Sequence, residues 1–418
     1  MQAATPPLSL AGQIHEQQER RRYVLICVAI IALCVALKLP TLFFGRLEYD
    51  EQIYWELTGN WLQTGDYSLR STSILSELPP AVYDRPLFHH PPLFSMLLAP
   101  FVAADSLRAA ILISWLGHVL AVVGVAMICW AWRRRSWHAT NVLLWLPVSA
   151  VALDPVFTFC SRKLWPDNLV GGLAALSIGL FCIAAARLRP AWAAIGGLTL
   201  GMAALTKLPA LILMPIGGLL LWLTAAADSR MRRRLLLAAA LPAGIILLPW
   251  FAVFYSHYAC LLPHWIHPDQ ALIEMSGLSR RAVSQPWHYF LSESVLVAPL
   301  VAVVLVGYIL RRRHVSSPTF GIPLAWVALT SVTLTVLGLR GQGLQLRYLA
   351  PAIPGLYVML AALLVRCDAR RSLLPLLALL AVIYGAVCSG FYLLSGSFDE
   401  IVSVPEILWR SFWESSGR

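Results

Sequence analysis

The chain has 418 residues, of which 59% are hydrophobic and only 13% charged, and its mean hydropathy is +0.70. Soluble domains carry about 25% charged residues, so this chain has too little polar surface to cover a water-soluble globule. The composition also excludes a disordered chain, a collagen and a disulfide-stapled secreted domain. A polytopic, all-α membrane protein remains, because the apolar runs are long enough to cross a bilayer.

The net charge is +11, which in a soluble protein would point to nucleic acid. Here the basic residues form six short clusters between apolar runs, with few acids beside them: Arg20–Arg22, Arg133–Arg135, Arg187 with Arg189, Arg230–Arg234, Arg311–Arg313 and Arg366–Arg371. This is the positive-inside pattern, and it assigns the clusters to the cytoplasmic side. We therefore expect no nucleic-acid partner.

The apolar runs predict about eleven transmembrane helices, with a cytoplasmic N-terminus and an extracytoplasmic C-terminus. The runs cover residues 23–44, 106–132, 139–157, 168–186, 191–206, 208–225, 235–256, 291–310, 320–338, 348–365 and 373–394. Under this assignment every basic cluster falls on one side of the membrane. The 191–206 run is short for a hydrocarbon core about 30 Å thick, and we expect a break at Thr206-Lys207-Leu208-Pro209.

We thus expect one transmembrane domain, 1–394, with two large outer loops, 45–105 and 257–290, and a short outer tail, 395–418. In the first loop, Ile53, Tyr54, Leu57 and Trp61 recur at helical spacing, which predicts a helix on the membrane surface. A second short helix is predicted to begin at His89-His90-Pro91-Pro92-Leu93, because proline suits a first helical turn.

Asp50 and Glu51 stand at the start of the first predicted surface helix, just after the first span. Acids at a helix N-terminus are favoured by the unpaired amides and the dipole, for about 0.3–1 kcal/mol, so capping is one interpretation. A carboxylate beside the bilayer can also serve as a general base, because a drier setting raises its pKa. Their position leaves both interpretations open.

Five motifs together resemble the GT-C integral-membrane glycosyltransferases, the protein mannosyltransferase-like and aminoarabinose-transferase-like enzymes that use polyprenyl-phosphate sugars. They are Glu48-Tyr49-Asp50-Glu51-Gln52-Ile53-Tyr54-Trp55 with the later His89-His90-Pro91-Pro92-Leu93, Ser161-Arg162-Lys163-Leu164-Trp165-Pro166-Asp167, Gly201-Met202-Ala203-Ala204-Leu205-Thr206-Lys207, Gln285-Pro286-Trp287-His288-Tyr289-Phe290-Leu291, and Arg347-Tyr348-Leu349-Ala350-Pro351. Each motif is weak alone, but their order across about 45–355 is that of the family.

The resemblance implies a GT-C fold and inverting transfer of a sugar from a polyprenyl-phosphate donor to an extracytoplasmic acceptor such as lipid A or its core, another glycolipid or a protein. The expected partners are the lipid-linked sugar, membrane lipid and that acceptor, and the expected location is a bacterial inner membrane. The leaving group is a phosphate, so the reaction needs cations to hold developing charge, one base, and no general acid. No cofactor is assigned, and a divalent cation is left open.

By the same resemblance, Asp50 is the expected base, and Glu51 is expected to orient the acceptor or bind a cation. Arg162, Lys163, Lys207 and Arg347 are the expected phosphate-binding residues, with His90 at a position where the family often has lysine. A phosphate contact from His90 would depend on protonation of its imidazole. Many relatives also carry a C-terminal extracytoplasmic domain that this sequence lacks.

Each phosphate-binding candidate also has a simpler interpretation. A lysine inside an apolar span costs roughly 2.5–3.5 kcal/mol, so Lys207 should have a partner or line a cavity, unless it reaches the interface from a broken span. Cations such as Arg162, Lys163 and Arg347 are common beside lipid headgroups.

The remaining candidate substrate contacts are His89, Asp167, Gln342 and Tyr348. Asp167 could instead pair with Arg162 or Lys163, and Gln342, between two glycines, could instead form a tight turn. We assign no metal site. His264, His267 and Asp269 are three candidate ligands without a helix-spaced fourth.

The alternative function is a transporter or flippase for a lipid-linked or amphiphilic substrate, which eleven spans would also suit. Transporters often show internal repeats and charges near the bilayer midplane. This sequence shows no repeat, and its notable charges lie in the predicted outer loops.

Overall fold

The structure is a computed structural model, and it describes residues 10–43, 47, 49–69, 90–132, 142–225, 227–259, 293–311, 317–337, 345–364 and 373–394. Within these ranges the regular structure consists of α-helices and three short 3₁₀ turns. The predicted second outer loop from residue 260 onward and the tail 395–418 lie outside the described residues.

The described α-helices, in chain order, are α1 (Leu10–Ala36), α2 (Tyr49–Thr64), α3 (Leu93–Ala103), α4 (Leu107–Ala110), α5 (Leu112–Trp132), α6 (Val142–Ala152), α7 (Pro155–Cys160), α8 (Asp167–Arg187), α9 (Pro190–Thr206), α10 (Leu213–Thr224), α11 (Ser229–Tyr258), α12 (Ala298–Arg311), α13 (Ser317–Leu337), α14 (Ile353–Leu364) and α15 (Leu374–Leu394). The 3₁₀ turns are Leu39–Phe43, Leu208–Ile212 and Leu346–Leu349.

The helical segments Ile14–Phe43, Leu107–Trp132, Asp167–Arg187, Ser229–Tyr258 and Leu374–Leu394 are long and apolar enough to cross a membrane. Shorter apolar helices coincide with the other six predicted spans, and α3 lies within the first predicted outer loop. Five of these six are shorter than the ~20 residues that usually span a bilayer, and the sixth belongs to α13, which has 21 residues. The all-helical membrane architecture is confirmed, and the count of eleven spans stays a prediction.

Helices α5 and α8 cross at very short range, because glycines lie where the two backbones meet. A methyl group on Gly172 of α8 would lie 1.9 Å from the carbonyl oxygen of Gly117 on α5. Further along α5, a methyl group on Gly124 would lie 2.3 Å from the backbone carbonyl carbon of Ala175 on α8. Small residues let two helix backbones approach this closely, as in many membrane bundles. The crossing fixes the start of α8 beside α5.

Both predicted helices of the first outer loop are present, as α2 and α3. The apolar face of α2, with Ile53, Leu57 and Trp61, packs on Tyr67 and Leu69. A hydrogen bond of 3.0 Å between the hydroxyls of Tyr67 and Ser95 ties this unit to α3. α2 is therefore held as a firm support for the acids in its first turn.

The predicted break after Thr206 is also confirmed. α9 ends there, Lys207 has an extended backbone with φ −156° and ψ 121°, and the 3₁₀ turn Leu208–Ile212 follows with a proline at its start. Pro209 lacks the N–H that would continue the α-helix to the carbonyl of Leu205, and its ring would clash with that carbonyl, which explains the break. Because its backbone is extended, Lys207 does not continue the side-chain directions of α9.

Candidate functional site

Asp50 and Arg347 form an ion pair between the carboxylate Oδ2 and the guanidinium Nη2. Asp50 lies in the first turn of α2, and Arg347 lies in the 3₁₀ turn Leu346–Leu349 before α14. The Arg347 side chain is 7% exposed, whereas that of Asp50 is 40% exposed. The pair thus joins a buried cation to a carboxylate that still faces open space.

Arg347 is held by two aromatic rings as well as by Asp50. Its guanidinium carbon lies 3.8 Å from the ring centroid of Trp165 and 5.2 Å from that of Tyr348. Burial acts to lower the pKa of Arg347, but the attraction of Tyr348 and Asp50 outweighs it and raises that pKa well above the usual value. Arg347 therefore stays charged.

Where the Arg347 guanidinium stacks on the Trp165 ring, two hydrogen-bond donors lack acceptors among the described residues. They are the Nε of Arg347 and the indole Nε1 of Trp165, and both are buried. A buried donor without an acceptor costs about 1–3 kcal/mol, so such groups call for an explanation. An anion bound at the stack would offer the missing acceptor oxygens.

The second cation of the site is Lys207, whose ammonium donates to Oδ1 of Asp167 at 2.7 Å. Lys207 thus has the partner that a lysine in an apolar run requires, and Asp167 pairs with it rather than with Arg162 or Lys163 as the sequence suggested. The reason is positional, since the break after Thr206 brings Lys207 to the first turn of α8, where Asp167 lies.

Tyr348 lies between the two cations. The Lys207 ammonium is 4.3 Å from its ring centroid, and Nη2 of Arg347 donates a long hydrogen bond of 3.5 Å to its hydroxyl. A cation over an aromatic face is stabilised by the ring quadrupole. The aromatic ring thus keeps two like charges near one another without direct contact.

Glu51 neighbours Asp50 on α2 but has a different environment. It is buried, and its Oε1 accepts the backbone N–H of Leu164 at 2.6 Å. Consecutive helix residues point about 100° apart, which is why one acid faces the loop before α8 and the other does not. In this structure Glu51 fastens α2 to the 161–166 loop.

The 161–166 loop is fixed from several sides. Ser114 of α5 donates to the carbonyl of Lys163 at 2.7 Å, and the indole of Trp115 donates to the carbonyl of Ser161 at 3.0 Å. The amide of Asn168, in the first turn of α8, donates to Ser161 Oγ at 3.0 Å. The loop that carries Trp165 is therefore rigidly seated on α5 and α8.

Arg162 and Lys163 are both buried within this loop. The Arg162 guanidinium carbon lies 5.8 Å from the ring centroid of Phe159, and the Lys163 ammonium lies 5.6 Å from that of Trp165. Both cations thus lie near aromatic rings of this segment, while Arg347 makes the contact with Asp50.

His90 is partly buried beside α2, with its Nδ1 at 3.3 Å from the hydroxyl of Tyr54. Burial, with the positive charge of Lys207 as a second cause, lowers the pKa of His90 to about 4. The imidazole is neutral at physiological pH and can offer a hydrogen bond but no charge. His89 and Gln342 lie outside the described residues.

A buried residue that the sequence interpretation missed holds the Arg347 turn. Glu293, ahead of α12, accepts the backbone N–H of Leu346 through Oε2. Trp165 was quoted only as part of a motif and proves to be the stacking partner of Arg347. No local pattern marks Glu293, whereas an aromatic beside a basic loop is a signal that could have singled out Trp165.

Within the described ranges, no group of three or more His, Cys, Asp or Glu side chains could hold a metal ion. The acids at the site each have a cation or a backbone amide as partner. The described residues thus present a carboxylate–cation site rather than a formed metal centre.

The fold is that of the GT-C glycosyltransferases, which confirms the architecture expected from the motifs. The crystal structure of ArnT from Cupriavidus metallidurans bound to undecaprenyl phosphate aligns with a TM-score of 0.56 at 18% identity, over 82% of this chain and 60% of that chain. The Archaeoglobus fulgidus oligosaccharyltransferase in complex with zinc and sulfate aligns with a TM-score of 0.55 at 14% identity, over 88% and 53%.

A third similar structure is the archaeal oligosaccharyltransferase AglB from Archaeoglobus fulgidus in complex with an inhibitory peptide and a dolichol-phosphate. Its TM-score is 0.50 at 14% identity, over 89% of this chain and 56% of that chain. This chain spans between 53% and 60% of the length of these three relatives. No protein-family model and no curated protein matches the sequence.

Proposed function

We propose that this chain is an inverting glycosyltransferase that moves a sugar from a polyprenyl-phosphate donor to an acceptor on the outer side of the membrane. One observation carries the proposal: the accessible carboxylate of Asp50 touches the buried, charged guanidinium of Arg347. A base and a phosphate-binding cation are the two groups that this reaction needs.

In the proposed reaction, the acceptor hydroxyl oxygen attacks the anomeric carbon of the donor sugar. Asp50 takes the hydroxyl proton as the new C–O bond forms. The bond from the anomeric carbon to the phosphate oxygen breaks, and the phosphate leaves with the electron pair. Attack from the face opposite the leaving group inverts the configuration. No general acid is needed, because the leaving group is already an anion.

Arg347 and Lys207 are the groups we assign to the donor phosphate. Their charges flank the ring of Tyr348, and the Nε of Arg347 and the indole N–H of Trp165 lack acceptors among the described residues. A phosphate offers several acceptor oxygens and matches a guanidinium with bidentate geometry. Arg162 and Lys163 would raise the positive potential around this position, and Tyr348 would contact the substrate.

Among the acids described at the site, Asp50 suits the base role best. Asp167 is 3% exposed and is bound by Lys207, and Glu51 is buried against a backbone amide. A general base must reach the proton that it removes, which a buried and engaged carboxylate does not. Glu51 therefore serves this proposal as a support for Asp50, and His90 as a neutral hydrogen-bonding group.

The donor class is supported by the shared fold, since the aligned ArnT structure contains undecaprenyl phosphate and the aligned AglB structure a dolichol-phosphate. We propose a bacterial inner-membrane location from the family resemblance, and a cytoplasmic N-terminus from the positions of the basic clusters. The acceptor belongs to the class of lipid A or its core, another glycolipid or a protein, and the sugar is a hexosyl or pentosyl unit.

The test uses the purified full chain in detergent, with an undecaprenyl-phosphate-linked sugar and candidate acceptors from these three classes. Mass spectrometry should detect a glycosylated acceptor and released undecaprenyl phosphate, without vesicles or a gradient. Movement of the lipid-linked sugar across reconstituted vesicles, with no covalent product from any acceptor, would support a flippase and overturn the transferase.

A further inference from the structure

The 3₁₀ turn that carries Arg347 lacks a cap of its own. Its N-cap residue, Gln345, makes no side-chain capping hydrogen bond. The first amides of any helical turn point away from the turn and need an acceptor from elsewhere. Glu293 supplies one for Leu346, the residue immediately before Arg347.

Glu293 is firmly seated for this task. It is 7% exposed and lies in a tight turn before α12, where Leu296 N donates to the carbonyl of Glu293 at 3.0 Å. The acceptor therefore comes from a fixed backbone. A buried carboxylate–amide bond is charge-assisted and roughly twice as strong as a neutral one.

A buried glutamate also binds a backbone amide in the loop that carries Trp165, where Glu51 accepts the N–H of Leu164. The two loops fastened in this way meet where the Arg347 guanidinium lies on Trp165. Two buried glutamates from distant segments thus fix the two faces of the proposed phosphate site.

We propose that Glu293 is a positioning residue of the transfer reaction. It caps the Leu346–Leu349 turn and so holds the Arg347 guanidinium against both Asp50 and Trp165, and it acts through Arg347 without touching substrate. This inference rests on the proposed function, because it assigns Glu293 to the same reaction. A displacement of about 1 Å at a reacting group can cost a hundredfold in rate, so a fixed turn matters.

The test compares two substitutions of similar length. Glu293→Met removes the acceptor, and we expect it to lower kcat/KM for the lipid-phosphate sugar roughly tenfold. Glu293→Gln keeps an amide oxygen as acceptor and should stay within about threefold of the native value. The matched control is Asp228→Ala, which removes a carboxylate that accepts the N–H of Met231 at the start of α11 and should leave the kinetics unchanged.

A double-mutant cycle separates positioning from general support of the fold. In an Arg347→Gln background, Glu293→Met should change kcat/KM by less than about twofold, because its effect runs through the missing guanidinium. The same tenfold loss in both backgrounds would overturn the positioning role, and so would unchanged kinetics of Glu293→Met in the native background.

If Glu293→Met does not fold, the bond can be removed from its other partner. Leu346→Pro deletes the donor N–H, and the extended backbone of Gln345, with φ −119° and ψ 145°, is the one that precedes proline. It should reproduce the tenfold loss, and full activity would overturn the proposal.

Binding of undecaprenyl monophosphate, compared with binding of undecaprenol, tests the proposed function separately from the role of Glu293. Equal binding of both lipids by the native chain would sink the proposed function itself. Preference for the phosphate in the native chain, retained in full by Glu293→Met, would sink only the role of Glu293.

Discussion

The guanidinium of Arg347 and the carboxylate of Asp50 are in direct contact although 297 positions separate them in the chain. In the proposed reaction one serves the leaving phosphate and the other serves the attacking hydroxyl. Their pairing holds the carboxylate and the guanidinium side by side while no donor is bound. A donor phosphate would compete with Asp50 for Arg347. Binding of the donor would therefore release the Asp50 carboxylate to act as the base.

Asp50→Asn should reduce transfer by about 10²- to 10⁴-fold, the usual contribution of a general base. The side chain keeps its size and can still contact Arg347, so the fold should persist. The measurement is product formation by mass spectrometry, with elution in size-exclusion chromatography as the check on folding. Asp66→Asn, an acid that accepts from Ser68 Oγ at 2.8 Å after α2, is the matched control and should retain activity. Native rates in folded Asp50→Asn would remove Asp50 from the mechanism.

Arg347→Lys keeps the positive charge but loses the planar group that lies on Trp165. We expect the KM for the lipid-phosphate donor to rise about tenfold, since lysine offers a point charge without fork geometry or stacking. Trp165→Leu should act in the same direction. The pair of changes should be less than additive, because both remove one contact. Additive losses in steady-state kinetics would show that Arg347 and Trp165 act on donor binding independently and not through their contact.

Lys207→Met leaves the buried carboxylate of Asp167 without its partner and should destabilise the protein by roughly 3 kcal/mol. Adding Asp167→Asn neutralises that carboxylate and should restore most of the thermal stability in detergent. Activity should stay low in both variants, because the second phosphate cation is missing. A double variant that recovers transfer along with stability would assign the pair to structure alone.

Acid should weaken the fold through His90, because burial lowers the pKa of this histidine to about 4. An unfolded histidine titrates near pH 6.5, so between about pH 6.5 and 4 the unfolded state binds a proton that the folded state does not. Stability is therefore lost as the pH falls, by at most about 2 kcal/mol between pH 6.5 and 5. The thermal midpoint should drop less on acidification in His90→Phe than in the native chain.

The matched control substitution is His257→Gln, at an exposed histidine on α11. An identical drop in native and His90→Phe protein would show that other groups are responsible.

Gly172→Ala should prevent stable packing of α5 on α8, because its methyl group would meet a backbone carbonyl at 1.9 Å. Backbone atoms within two helices cannot yield as a flexible side chain can, so a cost of about 3 kcal/mol or more is expected. Gly244→Ala on α11 is the matched control, since a methyl group there meets nothing within 4 Å. Equal thermal midpoints for the two variants would contradict the crossing.

The sequence predicted the helices better than it predicted the partners of their side chains. Apolar runs and proline positions are local signals, and they located α2, α3 and the break after Thr206. Asp50, Lys207, Asp167 and Arg347 were also recognised individually as charges that needed an explanation. Which acid meets which cation depends on helix crossings far apart in the chain, and no local pattern encodes that.

Glu51 and Glu293 show most clearly which contacts cannot be predicted from the sequence. Glu51 resembles Asp50 in sequence, yet one residue along a helix turns a side chain by about 100°, towards a backbone amide instead of open space. Glu293 stands between two serines and falls outside the motif that ends at Leu291. Its partner is a main-chain N–H, and a main-chain donor has no signature in the sequence.

During synthesis, Asp50 emerges from the ribosome 297 residues before Arg347. Until the later helices insert, the nascent chain carries the acid and the indole of Trp165 but not the guanidinium that completes them. A polypeptide stalled before residue 345 therefore lacks the proposed pair of base and phosphate-binding guanidinium. In the proposed reaction, transfer would begin only after synthesis has passed the Leu346–Leu349 turn.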